Sequence, residues 1–162
     1  MVVGAISVDS DEGCISISVD NQNIKLDYTI HEKEIACLLS KITGKTIIMQ
    51  PKISGKLLGF SWPDYLIEGQ RWELKDLFSG KSKYLLRDKV HKSAKQAENY
   101  VFDIIHSVVS EYELMNQAEA LFVYYNTLHV KTIVIVKDGI IKRVLIRKES
   151  LPDPQVEKGQ TL

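Results

Sequence analysis

Long apolar stretches are missing from this sequence: no run approaches the roughly 18 residues that a membrane-spanning helix needs. No basic segment followed by a continuous apolar region opens the chain, so its start does not read as a signal peptide. Cysteine is scarce, with only Cys14 and Cys37. Without CxxC or Cys/His spacing, neither a zinc knuckle nor a disulfide framework is expected, which suits a reducing compartment. Cys37 sits in an apolar helical stretch and reads as a small buried hydrophobe. The histidines His31, His91, His106 and His129 show no HxH or HExxH spacing and are not expected to build a metal site. Charge of one sign is not in excess either, since 21 basic residues balance 21 acidic ones. Attraction to a polyanion must therefore come from local clustering. Internal repeats and low-complexity tracts are absent. What remains is a chain of 162 residues, 44% hydrophobic, long enough to bury one compact core.

Residues 1–28 read as a β-rich lead-in, an accessory sheet. Val2 to Val8, Cys14 to Val19 and Ile24 to Tyr28 are short alternating or β-branched runs separated by Asp, Asn and Gly turn residues. A helix begins at Thr29, where Thr29-Ile30-His31-Glu32 fits a capping box. Ile35, Leu38, Leu39 and Ile42 follow at helical spacing, and Gly44 closes it. Lys45 to Met49 is a β-branched strand, and Pro51 to Trp62 a loop. Two strands, 64–68 and 71–76, turn at Glu68-Gly69. Residues 83–98 form a helix, and Val101 to Ile105 a buried strand. A helix over Glu111 to Tyr125 faces inward with Leu114, Ala118, Leu121, Phe122 and Tyr125. Ile133 to Val136 and Ile140 to Ile146 make a hairpin at Asp138-Gly139, a pair suited to a primed turn. From Thr29 the order is α-β-β-β-α-β-α-β-β, an α/β fold with a mixed central sheet flanked by helices. The division is 1–28 lead-in, 29–148 functional domain and 149–162 a tail, with Pro152 and Pro154, expected to be disordered.

Chemistry concentrates on the hairpin after Pro63. With Glu68-Gly69 as a two-residue loop, counting outward pairs Ile67 with Gln70, Leu66 with Arg71, Tyr65 with Trp72 and Asp64 with Glu73. Opposed residues share a face with Cβ atoms about 4.5–5.5 Å apart. Two carboxylates at that distance repel, and a divalent cation such as Mg²⁺, Mn²⁺ or Zn²⁺ relieves the repulsion. Lys75, two residues past Glu73, points to the same face. It can orient an attacking water and balance charge building on a scissile phosphate. An arbitrary D…ExK string is more often a solvated strand face with Lys75 paired to Glu73; the hairpin register and Pro63 reverse that balance. Glu34 borders the apolar stripe of the first helix and is the candidate third carboxylate, since the capping box already accounts for Glu32.

Residues 81–95 carry Lys81, Lys83, Arg87, Lys89, Lys92 and Lys95 against Asp88 alone. Such a segment attracts a phosphate backbone. Lys92, Gln96 and Asn99, at i, i+4 and i+7, form a polar stripe on the expected helix, with His91 beside it. Trp62 adjoins Pro63-Asp64 and is the better base-stacking candidate; Trp72 reads as hairpin packing. A second basic cluster, Lys131, Lys137, Lys142, Arg143, Arg147 and Lys148, lies on the last hairpin, where edge-strand lysines also deter aggregation.

The string PDYLIEGQRWELK, preceded by HEKEIACLLSKITGK and followed by KSAKQAENYVFDI, resembles the C-terminal tRNase domain of contact-dependent growth inhibition (CdiA) toxins, over roughly residues 29–148. Related domains end phage head morphogenesis proteins. The resemblance implies a restriction-endonuclease-like PD-(D/E)xK core and a metal-dependent RNase that cuts tRNA in the cytoplasm of a target or host bacterium. It also implies delivery by secretion or phage as part of a larger system, and a cognate immunity protein. Asp64 and Glu73 match the acidic pair, Lys75 the motif lysine and Glu34, approximately, the helical glutamate; in some members the working lysine lies on the following helix, where Lys92 and Lys95 stand. The chain departs from the family in starting at its own methionine and in carrying the lead-in. Competing readings are a metal-independent RNase of the barnase and colicin type, a DNase, and a non-catalytic phage structural or interaction module.

Overall fold

The structure, a computed structural model, describes residues 6–9, 14–17, 24–25, 28–50, 52–53, 62–78 and 80–148. The expected tail and most of the lead-in lie outside them. The first strands, β1 (Ile6–Asp9), β2 (Cys14–Ile17) and β3 (Ile24–Lys25), precede helix α1 (Ile30–Thr43). Then come β4 (Ile47–Met49), the two-residue β5 (Lys52–Ile53), β6 (Tyr65–Ile67) and β7 (Gln70–Asp76). Helix α2 (Leu85–Lys92), β8 (Asn99–Asp103), helix α3 (Glu111–Ala120), β9 (Thr132–Lys137) and β10 (Ile140–Ile146) complete the chain.

One mixed sheet of eight strands in the order β1-β2-β4-β6-β7-β8-β9-β10 forms the centre. The lead-in strands β1 and β2 therefore extend the central sheet, through parallel pairing of β2 with β4. Among the described lead-in strands β3 stands apart, in a two-stranded sheet with β5. Strands β7, β8 and β9 run parallel. The two crossovers that link them carry α2 and α3 to one face of the sheet, as crossovers of one hand require. Helix α1 covers the other face. Its Ile35, Ala36 and Leu39 pack with Tyr65, Ile67, Trp72, Leu74, Val101 and Val134. On the opposite face Leu86 and Val90 of α2 and Leu114 and Ala118 of α3 meet Tyr100, Phe102, Ile133 and Ile135. Strand β8, covered on both sides, is buried at every position.

Local chemistry fixes several boundaries. The capping box at Thr29 and Glu32 starts α1, and Gly44 ends it in the left-handed conformation at φ 65. A Cβ at Gly44 would meet nothing within 4 Å, so only the backbone opposes a side chain there. Gly44→Ala is expected to cost about 1 kcal/mol, read as a lower urea midpoint with an unchanged slope. An unaltered midpoint would show that α1 ends otherwise. Both hairpins use primed two-residue turns, with positive φ at Glu68 and Gly69 and at Asp138 and Gly139.

Three expected helix and strand limits need correction. The helix expected over 83–98 stops at Lys92, where the Ser93 hydroxyl donates to the Lys89 carbonyl. The chain must then turn so that Asn99 can enter β8, buried and donating to the Arg71 carbonyl. The helix expected to Tyr125 ends at Ala120, because Thr127 returns its hydroxyl to the Leu121 carbonyl at 2.6 Å. Tyr125 begins a short 3-10 turn and is 89% exposed, not inward-facing. Strand β8 begins and ends two residues earlier than expected, and Ile105 is exposed beyond its end.

Candidate active site

The hairpin register is the one that counting from the turn requires: Tyr65 opposes Trp72, Leu66 Arg71 and Ile67 Gln70. Asp64 lies one residue before β6. Its backbone carbonyl accepts from Gln50 N–H at 2.9 Å, while its carboxylate accepts from Leu74 N–H at 2.8 Å. That second bond sets the carboxylate against the peptide joining Glu73 to Leu74. Glu73 opposes Tyr100, and Lys75 Phe102, across the parallel β7–β8 ladder. Both therefore lie on the face covered by α2 and α3, and Trp72, Leu74 and Asp76 on the α1 face.

Glu73 is 5% exposed, and Lys75 Nζ approaches its Oε1 to 2.5 Å. Asp64 feels this surrounding strongly. Burial first, and then the Glu73 charge, push its carboxyl up to about 7, against the pull of the Leu74 N–H; Glu32 adds to the rise and Lys75 opposes it. Two acids and one lysine are thus electrostatically joined in one partly buried spot. The fully buried Tyr65 underpins it, donating its hydroxyl to the Glu32 carbonyl at 2.9 Å. Burial raises the Tyr65 hydroxyl far above its ordinary range.

Of the two acids in the first turns of α1, Glu32 is the one whose charge reaches Asp64, although its carboxylate also closes the capping box on Thr29 N–H. Glu34 is exposed and lines a cavity on the α1 face. The basic segment stands over the Glu73 face. Lys89 is half-buried, and His91, Lys92 and Lys95 are exposed along and beyond the end of α2. The expected stripe of Lys92, Gln96 and Asn99 does not form, because the helix ends first and Asn99 is buried in the sheet. Arg71 instead anchors the turn after α2, bonding the Lys95 carbonyl and the Glu98 carboxylate. Tyr100 adds a further anchor, its hydroxyl donating toward the Ser93 and Ala97 carbonyls; burial pushes it up to about 12. Trp62 is 53% exposed beside Pro63, while Trp72 is part of the core.

Part of the second basic cluster is taken up by tertiary pairing. Arg143 pairs with Glu119, Lys137 with Glu111, and Arg147 donates to the carbonyls of Phe122, Thr127 and Val130. These bonds, on and beside edge strand β10, favour a structural role.

One group of possible ligands escaped the sequence. His31, Asp76 and Asp103 converge on the α1 face, within a cavity of about 850 Å³. They come from three elements at unrelated spacings, so no motif announces them. Among the described residues no helix is long and apolar enough to cross a membrane.

No curated protein matches the chain. Among solved structures, the CdiA-CT/CdiI toxin and immunity complex from Burkholderia pseudomallei is similar, with a TM-score of 0.53 and 18% identity, covering 82% of this chain and 98% of that chain. At that identity the likeness is one of fold. The family described as the contact-dependent growth inhibition CdiA C-terminal domain matches residues 61–141, a span that holds Asp64, Glu73, Lys75 and all of α2. That span is half of the chain, and the chain belongs to the contact-dependent growth inhibition CdiA C-terminal domain family.

Proposed function

We propose that the chain is a metal-dependent endonuclease that hydrolyses RNA phosphodiester bonds, with tRNA as substrate, and that Asp64, Glu73 and Lys75 carry the chemistry. Domains of its family are toxins, generally nucleases, which supports the enzyme class. The observation that carries the reading is the raised Asp64 carboxyl, held against the Glu73–Leu74 peptide beside a buried Glu73.

Such a pair fits a divalent cation on chemical grounds. Asp64, just before β6, and Glu73, on β7, offer hard oxygen donors where their own charges are unfavourable, and Mg²⁺, Mn²⁺ or Zn²⁺ would be held by them. When bound, the cation supplies Lewis acidity toward a phosphodiester oxygen. Lys75 offsets the Glu73 charge and presents an ammonium where negative charge builds on the phosphate. Glu32, whose charge already reaches Asp64, takes the helical carboxylate role for which Glu34 was the sequence candidate. Lys89, His91, Lys92, Lys95 and Gln96 form the phosphate-binding border. Lys92 and Lys95 are also the helix-borne lysines that can share the role of Lys75. Trp62 offers an exposed ring for base stacking. The similar solved structure is a toxin–immunity complex; by that likeness a cognate immunity protein is the expected partner, and the cytoplasm of a target bacterium the site of action.

Purified protein incubated with tRNA, rRNA and duplex DNA, with and without Mg²⁺, Mn²⁺ or Zn²⁺, tests this directly. Cleavage of tRNA that stops in EDTA and resumes with one of the cations is expected. Undiminished cleavage in chelator removes the metal, and a preference for duplex DNA removes the RNA.

The basic border makes a separate, smaller prediction. Lys92→Ala should weaken RNA binding and flatten the slope of log K against log salt by about 0.7, the value for one phosphate charge no longer neutralised. Fluorescence anisotropy over a salt series measures it, and an unchanged slope removes Lys92 from the border.

A further inference from the structure

Asp76 and Asp103 are register partners at the ends of the parallel strands β7 and β8, so their side chains stand together on the α1 face. Two carboxylates so disposed repel each other. The first turn of α1 sets His31 over both, with Nε2 at 2.9 Å from Asp76 Oδ1 and 3.2 Å from Asp103 Oδ2. The three ligand atoms lie within 4.8 Å of one another. Asp103 is the most enclosed, its side chain 5% exposed against 36% for His31. Its Oδ1 accepts from Ile105 N–H at 2.9 Å, which leaves Oδ2 turned toward the imidazole.

A single hydrogen on Nε2 cannot serve two carboxylates. A hydrogen on Nε2 directed at Asp76 leaves the approach of Asp103 Oδ2 to the same nitrogen without a proton of its own. The spacing suits a different occupant. With ligands about 2.1 Å from a first-row cation, neighbouring donors lie about 3.0 Å apart in octahedral and about 3.4 Å apart in tetrahedral geometry. The observed separations of 2.9 and 3.2 Å are close to these.

We propose that His31, Asp76 and Asp103 form a second divalent-metal site, on the α1 face of the sheet, built from residues other than Asp64 and Glu73. One imidazole nitrogen with two carboxylate oxygens suits a first-row ion that takes mixed nitrogen and oxygen donors, such as Zn²⁺ or Mn²⁺, over Ca²⁺, which takes six to eight oxygens. The site opens on the cavity, where water completes the coordination. Bound there, the ion ties the first turn of α1 to the ends of two central strands, and it stabilises the fold by binding only the native state. The rival reading is no metal at all, the cluster being held by the hydrogen bond between His31 and Asp76.

Metal counting separates these outcomes, and the two proposed sites from each other. The full chain, stripped with EDTA, is titrated calorimetrically with Zn²⁺ or Mn²⁺ alone. The Asp64→Asn/Glu73→Gln protein is expected to retain one ion, and adding His31→Gln to remove it. His31 is partly exposed, so that change should leave the fold intact, as circular dichroism of the metal-free protein would verify. In the Asp64→Asn/Glu73→Gln protein, Mn²⁺ should also broaden the His31 ring resonances selectively, a readout that needs no change at the new site. A single ion in the unsubstituted chain, lost with His31→Gln, upholds this site and removes the one on the hairpin. No ion in the Asp64→Asn/Glu73→Gln protein, or an ion indifferent to His31→Gln with His31 unbroadened, overturns the inference.

Discussion

Glu73→Gln is expected to lower cleavage of the preferred nucleic acid about a thousandfold or more, with the fold preserved. The substitution keeps the shape of a side chain that is 5% exposed and still offers an oxygen to Lys75 at the Oε1 position. What it removes is a negative charge. If that charge helps hold a cation acting on the phosphodiester, the loss amounts to several kcal/mol of transition-state stabilisation, and about 1.4 kcal/mol corresponds to each tenfold in rate. Initial rates with tRNA under saturating Mg²⁺ or Mn²⁺, beside a circular dichroism spectrum, measure it. A rate within tenfold of the unsubstituted chain would remove Glu73 from the chemistry and favour an interaction module whose acids do nothing catalytic.

Asp64→Asn should have a comparably large effect on stability, with a pH signature. Burial and Glu73 raise the Asp64 carboxyl from 3.8 to about 7. Below pH 4 it is protonated in both folded and unfolded chains. As the pH climbs, the unfolded chain ionises first while the folded one keeps its proton, so stability falls until the pH passes about 7. Each unit of difference is worth about 1.4 kcal/mol, and with partial exposure the total is between about 2 and 4 kcal/mol. Asparagine keeps an oxygen for Leu74 N–H and carries no charge. The variant in EDTA should therefore lack this decline, and be the more stable protein at pH 8. Because the Glu73 charge acts on the same carboxyl, the titration belongs to the pair. Urea melts of both proteins at several pH values decide it, and parallel pH profiles would mean that neither burial nor Glu73 raises the Asp64 carboxyl in the folded chain.

Several parts of the fold can be read directly from neighbouring residues. Thr29 to Glu32 and Gly44 delimit α1 because caps satisfy backbone groups within a turn of the helix end. Glu68-Gly69 and Asp138-Gly139 set the hairpins because type I′ turns demand positive φ at both central positions. Once the first turn is known, the register of β6 with β7 is arithmetic. The basic run over 81–95 is equally plain, but the helix carrying it is shorter than its periodicity implies. Nothing in that periodicity reveals that Ser93 turns the chain or that Asn99 has to reach Arg71 in another strand.

The turns, the hairpin register they set and the capped start of α1 were thus determined by the sequence alone, since each depends on residues a few positions apart. Tertiary structure decided which helix acid reaches Asp64, how far α2 runs, and that β1 and β2 join the main sheet. It also decided the meeting of His31 with Asp76 and Asp103. These depend on parallel strand pairing and helix docking between segments far apart in the chain. Such pairings are selected by burial of the whole core, and no local pattern of residues encodes their register.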